Sequence, residues 1–302
     1  MPITEEQRAD RAQSIGSSDM AAILGLSRYA SPYDVWLEKT GQLEDDKTSA
    51  AADAGNRFED AVIGWAEDEL GGMERNLHVK HDGSPLAANV DAILREGGIP
   101  VEAKTAGLFG PLVERWGDDY TDDVPEAYIV QAHVHMICTE RELCHLAAFI
   151  GQRGFARFVI HHNADLAGAI IEQAQSFWDR HVVACTPPED CLPAFETVRR
   201  VKRKPGKVAV VAPEIVEEYF AANEEKKRAE ARVEEAKVRL LTEGRDADAF
   251  DYGDPEKWMT FYANDTRRVD VNLLKAEHPD IAAEYTITNS SRTLRKAHRP
   301  QG

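Results

Sequence analysis

The sequence predicts an α/β (α+β) fold in which helices flank a central mixed β-sheet, and three observations predict it. Two apolar runs, Leu86–Leu94 and Ile99–Thr105, are joined by Arg95, Glu96, Gly97 and Gly98, a tight-turn signal that folds them side by side. Just before them, Phe58, Ala61, Val62, Trp65, Ala66 and Leu70 recur at helical spacing. After them a helix, a hairpin and a further helix follow, an order that gives a mixed sheet covered by helices.

Taken in order, the first element is a short helix at Met20–Leu24, closed by Gly25, with Ser17, Ser18 or Asp19 expected as its N-cap. Free N–H groups beside serine hydroxyls would make that start an anion site. Ser31 followed by Pro32 opens a second helix through Trp36 to Lys39, because proline fits the first turn. The third helix is expected over Ala50–Leu70; Glu59 and Asp60 flank Phe58 on it, so one of them turns toward the edge of the core. Three strands are expected within 75–105, the first at Asn76–His81 before the turn at Asp82 and Gly83. A helix over Pro125–Thr139 carries Tyr128, Gln131, Ala132, His135 and Met136. Two strands, Leu143–Ile150 and Phe155–His161, turn at Gly151–Gly154, and a helix rich in Ile, Phe and Trp spans Ala164–Ala184.

Beyond Pro187, Pro188 and Pro193 lies a basic run, Arg199, Arg200, Lys202, Arg203, Lys204 and Lys207. It reads either as a track for a phosphate backbone or as a flexible linker. A dense charged helix then covers 213–244, its Val216, Tyr219, Phe220, Val233, Val238 and Leu241 suited to packing or a coiled coil. β character returns at Trp258–Tyr262, followed by Val269–Leu274, a helix near Pro279–Glu284 and a polar stretch over 286–295. The expected organisation is a core domain over 1–200 and an extension over 201–302 made of the long helix and a small α/β tail.

Composition narrows the function classes. No apolar run approaches the roughly 18 residues that cross a membrane, and the N-terminus has no signal-peptide pattern, so a soluble, cytoplasmic protein is expected. Cys138, Cys144, Cys185 and Cys191 include no Cys-x-x-Cys pair, and neither a disulfide nor a zinc site is expected. A net charge of −17 argues against a protein that coats nucleic acid. It leaves room for an enzyme that gathers carboxylates and keeps one local basic groove.

The turn at Gly97 and Gly98 carries the chemistry. It brings Asp91 toward Glu102, and Lys104, two residues further on, shares the face of Glu102. Two carboxylates can hold a hard divalent cation, and the ammonium can steer water or stabilise a developing anion, which suits phosphodiester hydrolysis. The same pattern also occurs on solvated sheet faces. Against that reading, Asp91 shares its face with Ile93 and small residues. The histidines 133, 135, 161 and 162 are spaced to face apart. The five tryptophans read as packing residues, with Trp116 in the 107–120 loop the one placed to lie against a nucleic acid.

Arg11 leading into Ile15–Asp19, Gly55–Glu59, Asn89–Asp91, Glu102–Thr105 and Tyr128–His133 occur in the order found in the YqaJ-type viral recombinases. Over about residues 10–165 the sequence resembles that family, which is similar to lambda exonuclease and falls in the PD-(D/E)xK nuclease superfamily. Val90 stands where the superfamily's nominal motif has proline. The resemblance implies a PD-(D/E)xK core with Asp91, Glu102, the carbonyl of Ala103 and Glu59 as metal ligands, Lys104 on the scissile phosphate or attacking water, and Gln131 orienting substrate. It implies Arg11 and Ser18, with Ser17 assisting, around a terminal 5′ phosphate. It further implies Mg²⁺, with Mn²⁺ substituting, and 5′-to-3′ exonuclease action on linear double-stranded DNA ends. A single-strand annealing recombinase as partner, a homo-oligomer, and the cytoplasm of a bacterial or phage-infected cell complete the expectation. A nicking or structure-specific endonuclease on the same core, or a recombination scaffold with a vestigial site, are the alternatives.

Overall fold

The computed structural model describes residues 11–44, 50–107, 115–151 and 153–286, with 50–54 and 56 described by their backbone alone. Residues 108–114 of the loop expected over 107–120, and all but the first residue of the polar stretch at 286–295, lie outside the described residues. The chain divides into two compact units, residues 1–203 and 204–302.

In the first unit, helices α1 (Ser17–Ile23), α2 (Pro32–Lys39) and α3 (Ala50–Leu70) precede strands β1 (Met73–Lys80), β2 (Ala87–Leu94) and β3 (Pro100–Ala106). Then come α4 (Glu126–Thr139), β4 (Leu143–Ile150), β5 (Gly154–His161), α5 (Ala164–Phe177) and α6 (Phe195–Arg200). The sheet order is β1-β2-β3-β4-β5, antiparallel except for the parallel β3–β4 pair, so the expected mixed sheet is present. A parallel pair needs a crossover, and α4 supplies it. At the β2–β3 turn Gly97 and Gly98 have φ of 81° and 63°, and a Cβ on Gly98 would lie 2.8 Å from the Arg141 guanidinium. Two glycines are therefore the residues this turn accepts.

Apolar burial explains the layering. Val90, Val130, Val134, Met20, Leu86 and Phe177 belong to a core shared by α1, β2, α4 and α5. Val62, Ile63 and Ala66 of α3 pack on Met73, Ala92, Val101 and Ala147 of the sheet. Met136, Leu146, Ala148 and Phe158 fill a third cluster. Trp36 is buried in the first cluster and donates its indole N–H to the His181 carbonyl, 3.1 Å away.

Three local expectations are corrected. The α1 N-cap is Gly16, and neither serine caps the helix; the Asp19 carboxylate turns back to accept the Gly16 N–H at 2.8 Å. The helix from Ala164 is α-helical only to Phe177 and continues as a π-helical segment, Trp178–Val183, because a wider turn inserted into a helix leaves no mark in an otherwise continuous pattern. Trp116 stacks with Tyr128 and Phe158, centroids 5.4 Å away in each case, so it is a packing residue like Trp36 and Trp65.

The second unit holds α7 (Pro213–Gly244), the two-stranded pair β6 (Ala249–Phe250) and β7 (Met259–Thr260), and α8 (Val271–Glu277) and α9 (Pro279–Glu284). No side chain described in these helices is buried. Trp258, expected to pack, is 66% exposed. No helix among the described residues is long and apolar enough to cross a membrane.

Candidate active site

The β2–β3 ladder runs through Ala92–Val101 and Ile93–Pro100, and at the next position a side chain takes over from the backbone. The Ala103 N–H donates to Asp91 Oδ2 at 2.8 Å. This brings the Asp91 carboxylate onto Glu102, to which it is hydrogen-bonded. Glu102 is only 4% exposed, and one of its oxygens accepts from Lys104 Nζ. Lys104 in turn lies over the Tyr128 ring, 5.3 Å from its centroid. The strand geometry thus joins Asp91, Glu102 and Lys104 into one cluster.

The electrostatics of this cluster are strained by excess negative charge. Burial raises the Asp91 carboxyl well above its usual range, and the Glu102 charge adds to the rise. Burial also pushes Glu102 upward, but Lys104, His135 and hydrogen bonds from Lys104 and Asp91 outweigh it and hold the group below its ordinary value. Burial works against the charge of Lys104, which Glu102 and Asp91 nevertheless raise above the ordinary lysine value. Glu59, half-buried on α3, is raised by burial and by the charges of Glu102 and Asp60. Glu59 therefore lies within electrostatic reach of the pair. It does not close a cage: among the described residues no three His, Cys, Asp or Glu side chains are grouped closely enough to hold an ion by themselves. The donor set is nonetheless all oxygen with surplus negative charge, which fits a hard divalent cation, and such a cation would relieve the repulsion that lifts Asp91 and Glu59.

His135 is the residue that sequence reasoning missed. It is wholly buried, and its Nε2 lies 3.3 Å from Glu102 Oε2, near enough for an ion pair yet not aligned as a hydrogen bond. Burial lowers its pKa despite the attraction of Glu102, so the ring is neutral at pH 7. The available signal was its position four residues after Gln131, one helical turn along the same face of α4. His133 lies elsewhere, with its Nε2 accepting from the Asn163 N–H at 3.1 Å.

Beside the acids lies a cleft of about 700 Å³, lined among others by Arg11, Ser18, Arg28, Lys104, Tyr128 and Gln131. Lys104 belongs both to this cleft and to the carboxylate cluster. Gln131 is buried on α4, and Arg28 lies over the Tyr29 ring, 4.6 Å from its centroid. Ser17 is half-buried and does not line the cleft. At the start of α1 the Asp19 carboxylate already accepts the Gly16 N–H. The cleft's cationic groups are Arg11, Arg28 and Lys104, and Asp19, Asp34, Glu38 and Glu126 line it as well.

Residues 7–142 match the family model of the YqaJ-like viral recombinase domain. Every residue of the cluster and the cleft named above falls inside that stretch. The uncharacterized protein YqaJ of Bacillus subtilis (strain 168) is 26% identical over 291 residues, spanning 92% of this chain and 89% of that protein. Among solved structures, an alkaline exonuclease (LHK-Exo) from Laribacter hongkongensis is 17% identical with a TM-score of 0.48, covering 61% of this chain and 94% of that one. A phage related exonuclease from Haemophilus somnus 129PT is 10% identical with a TM-score of 0.43, covering 57% of this chain and 96% of that one. The matched stretch ends before β4, the parallel strand paired with Glu102 and Lys104.

Proposed function

We propose that this chain is a metal-dependent deoxyribonuclease, an exonuclease that degrades the 5′ strand of linear duplex DNA and leaves a 3′ single-stranded tail. The observation that carries the reading is the double membership of Lys104, which pairs with Glu102 on one side and lines the cleft with Arg11 and Arg28 on the other. A scissile phosphate in the cleft would then lie next to the acids.

Asp91, Glu102, the Ala103 carbonyl and Glu59 would hold the ion, Mg²⁺ with Mn²⁺ as substitute. Such an ion supplies Lewis-acid stabilisation of charge on the phosphate. The chain's own groups do the rest. Lys104 exchanges Glu102 for a phosphate oxygen and balances charge as the P–O bond breaks. His135 keeps contact with the other Glu102 oxygen during that exchange. Gln131 orients the substrate at the cleft wall. Arg11 and Ser18 grip the terminal 5′ phosphate, where a guanidinium can form paired charge-assisted hydrogen bonds. The tail would be handed to a single-strand annealing recombinase, in keeping with a viral recombinase domain, and we assign the enzyme to a homo-oligomer in the cytoplasm of a bacterial or phage-infected cell.

The test is digestion of end-labelled linear duplex, with and without a 5′ phosphate, beside a covalently closed circle, in Mg²⁺ and in chelator. Metal-dependent loss of the linear 5′ strand with the circle intact is the expected result. A nicked circle would replace the reading with an endonuclease, and absence of cleavage with a scaffold.

A further inference from the structure

We propose that Lys39 is a positioning residue for the end-binding cleft, a buried strut that sets the separation of Arg11 from Ser18 and so determines how well a terminal 5′ phosphate is held. This rests on the reading above that the cleft takes that phosphate.

Lys39 is the last residue of α2, and its side chain is 0% exposed. Its ammonium lies 2.6 Å from Asp19 Oδ2 and donates to the Arg11 carbonyl oxygen at 2.8 Å. The same Asp19 oxygen accepts the Gly16 N–H at 2.8 Å. One ammonium therefore joins two pieces of chain that line the cleft from different elements, the backbone at Arg11 and the turn that carries Ser18.

Burying a lysine costs several kcal/mol unless its donors are satisfied, so a lysine is a poor choice for merely filling the space under α1 and α2. An apolar side chain would pack there without fixing the Arg11 carbonyl. The guanidinium end of Arg11 is held differently: Glu38 Oε1 is 3.5 Å away, and both side chains are more than a third exposed. An exposed pair of this kind contributes little and yields easily to a competing anion. Arg11 is thus anchored by its backbone and left movable at its head, the arrangement a phosphate clamp needs.

Lys39→Met alone strands a buried carboxylate, so the informative variant is Lys39→Met with Asp19→Asn, whose folding is followed by a thermal melt. Steady-state cleavage is measured on linear duplexes that differ only in a 5′ phosphate or a 5′ hydroxyl. The expected result is a KM for phosphorylated ends raised about 10- to 100-fold, the scale set by loss of supporting contacts around a binding group, with a smaller change in kcat and in KM for hydroxyl ends. An unchanged preference for phosphorylated ends in the folded variant would overturn the proposal. So would equal loss on both ends, which is what a merely structural role predicts. If the double variant does not fold, Lys39→Arg keeps the charge but replaces the compact ammonium with a planar fork, and the same ratio decides. Arg11→Ala, run in parallel, separates the two levels. If Arg11→Ala also leaves the preference intact, the phosphate reading of the cleft falls; if Arg11→Ala abolishes it and the Lys39 variants do not, only the strut falls.

Discussion

Two buried charge clusters lie on either side of the cleft, and they are built on opposite rules. At Asp19 and Lys39 one carboxylate meets one ammonium, and hydrogen bonds to Gly16 and Arg11 tie the balanced pair to the backbone. At Asp91, Glu102 and Lys104 two acids share one ammonium, a third acid approaches on Glu59, and His135 stands beside Glu102 with neither ring nitrogen hydrogen-bonded. The first cluster is complete and the second is short of positive charge. A protein keeps such a deficit where something else is to supply the charge. The contrast assigns stability to the first cluster and chemistry to the second, and it can be broken by experiment.

The largest effect is expected at the deficient cluster. Lys104→Ala and Asp91→Ala should each lower cleavage by about 10³-fold or more while DNA binding by gel shift persists, because each removes charge placed against the reacting phosphate. Activity retained in both would end the assignment. Asp91→Ala should cost only about 1 kcal/mol of stability, since it relieves repulsion, whereas Lys104→Ala leaves Glu102 buried without its ammonium and should cost about 3–5 kcal/mol. Lys39→Met should act on stability in the same direction as Lys104→Ala, without touching the reacting acids. Leaving Asp19 unpaired in a buried site should cost about 3–5 kcal/mol in a urea melt, and a loss below about 1 kcal/mol would show that the complete cluster is not a stabilising one.

A smaller effect is expected at His135. Its replacement by Ala should reduce cleavage about 10- to 100-fold and raise the Mg²⁺ concentration for half-activity, with partial recovery in His135→Asn. Unchanged metal dependence would leave the ring a packing group. The smallest effect sharpens the comparison through pH. Burial, aided by Arg157, lowers the His145 pKa from 6.5 to about 4. The unfolded chain therefore takes up a proton that the folded one refuses, so stability falls as pH drops from 6.5 toward 4, by about 3 kcal/mol. His145→Gln should flatten that slope. Asp19, held below its ordinary 3.8 by Lys39 and Arg11 although burial opposes them, loses its contribution only at lower pH, through its depressed value. A shallower upper limb in His145→Gln, with the remainder from buried His133 and His135 and the lower limb unchanged, is the expected record.

Much of the deficient cluster was legible because its geometry is local. A two-glycine turn and a strand period of two bring Asp91, Glu102 and Lys104 together with no knowledge of the rest of the chain. His135 was not legible, because its contact with Glu102 depends on α4 crossing the sheet between β3 and β4. The complete cluster was hidden for a similar reason. Asp19 reads as a helix-start residue, and its partner is twenty positions away on another helix. In the second unit the spaced apolar residues of α7 predicted packing, yet Val233 is 54% and Val238 57% exposed, because spacing reveals a helix and not what covers it.

The carboxylate that closes the β2–β3 ladder has a consequence for observing the enzyme. The Ala103 amide donates to Asp91 and not to a strand carbonyl, so this one backbone resonance senses whether the carboxylate is engaged elsewhere. In the spectrum of ¹⁵N-enriched protein it is a built-in reporter of the site, readable without substrate or turnover.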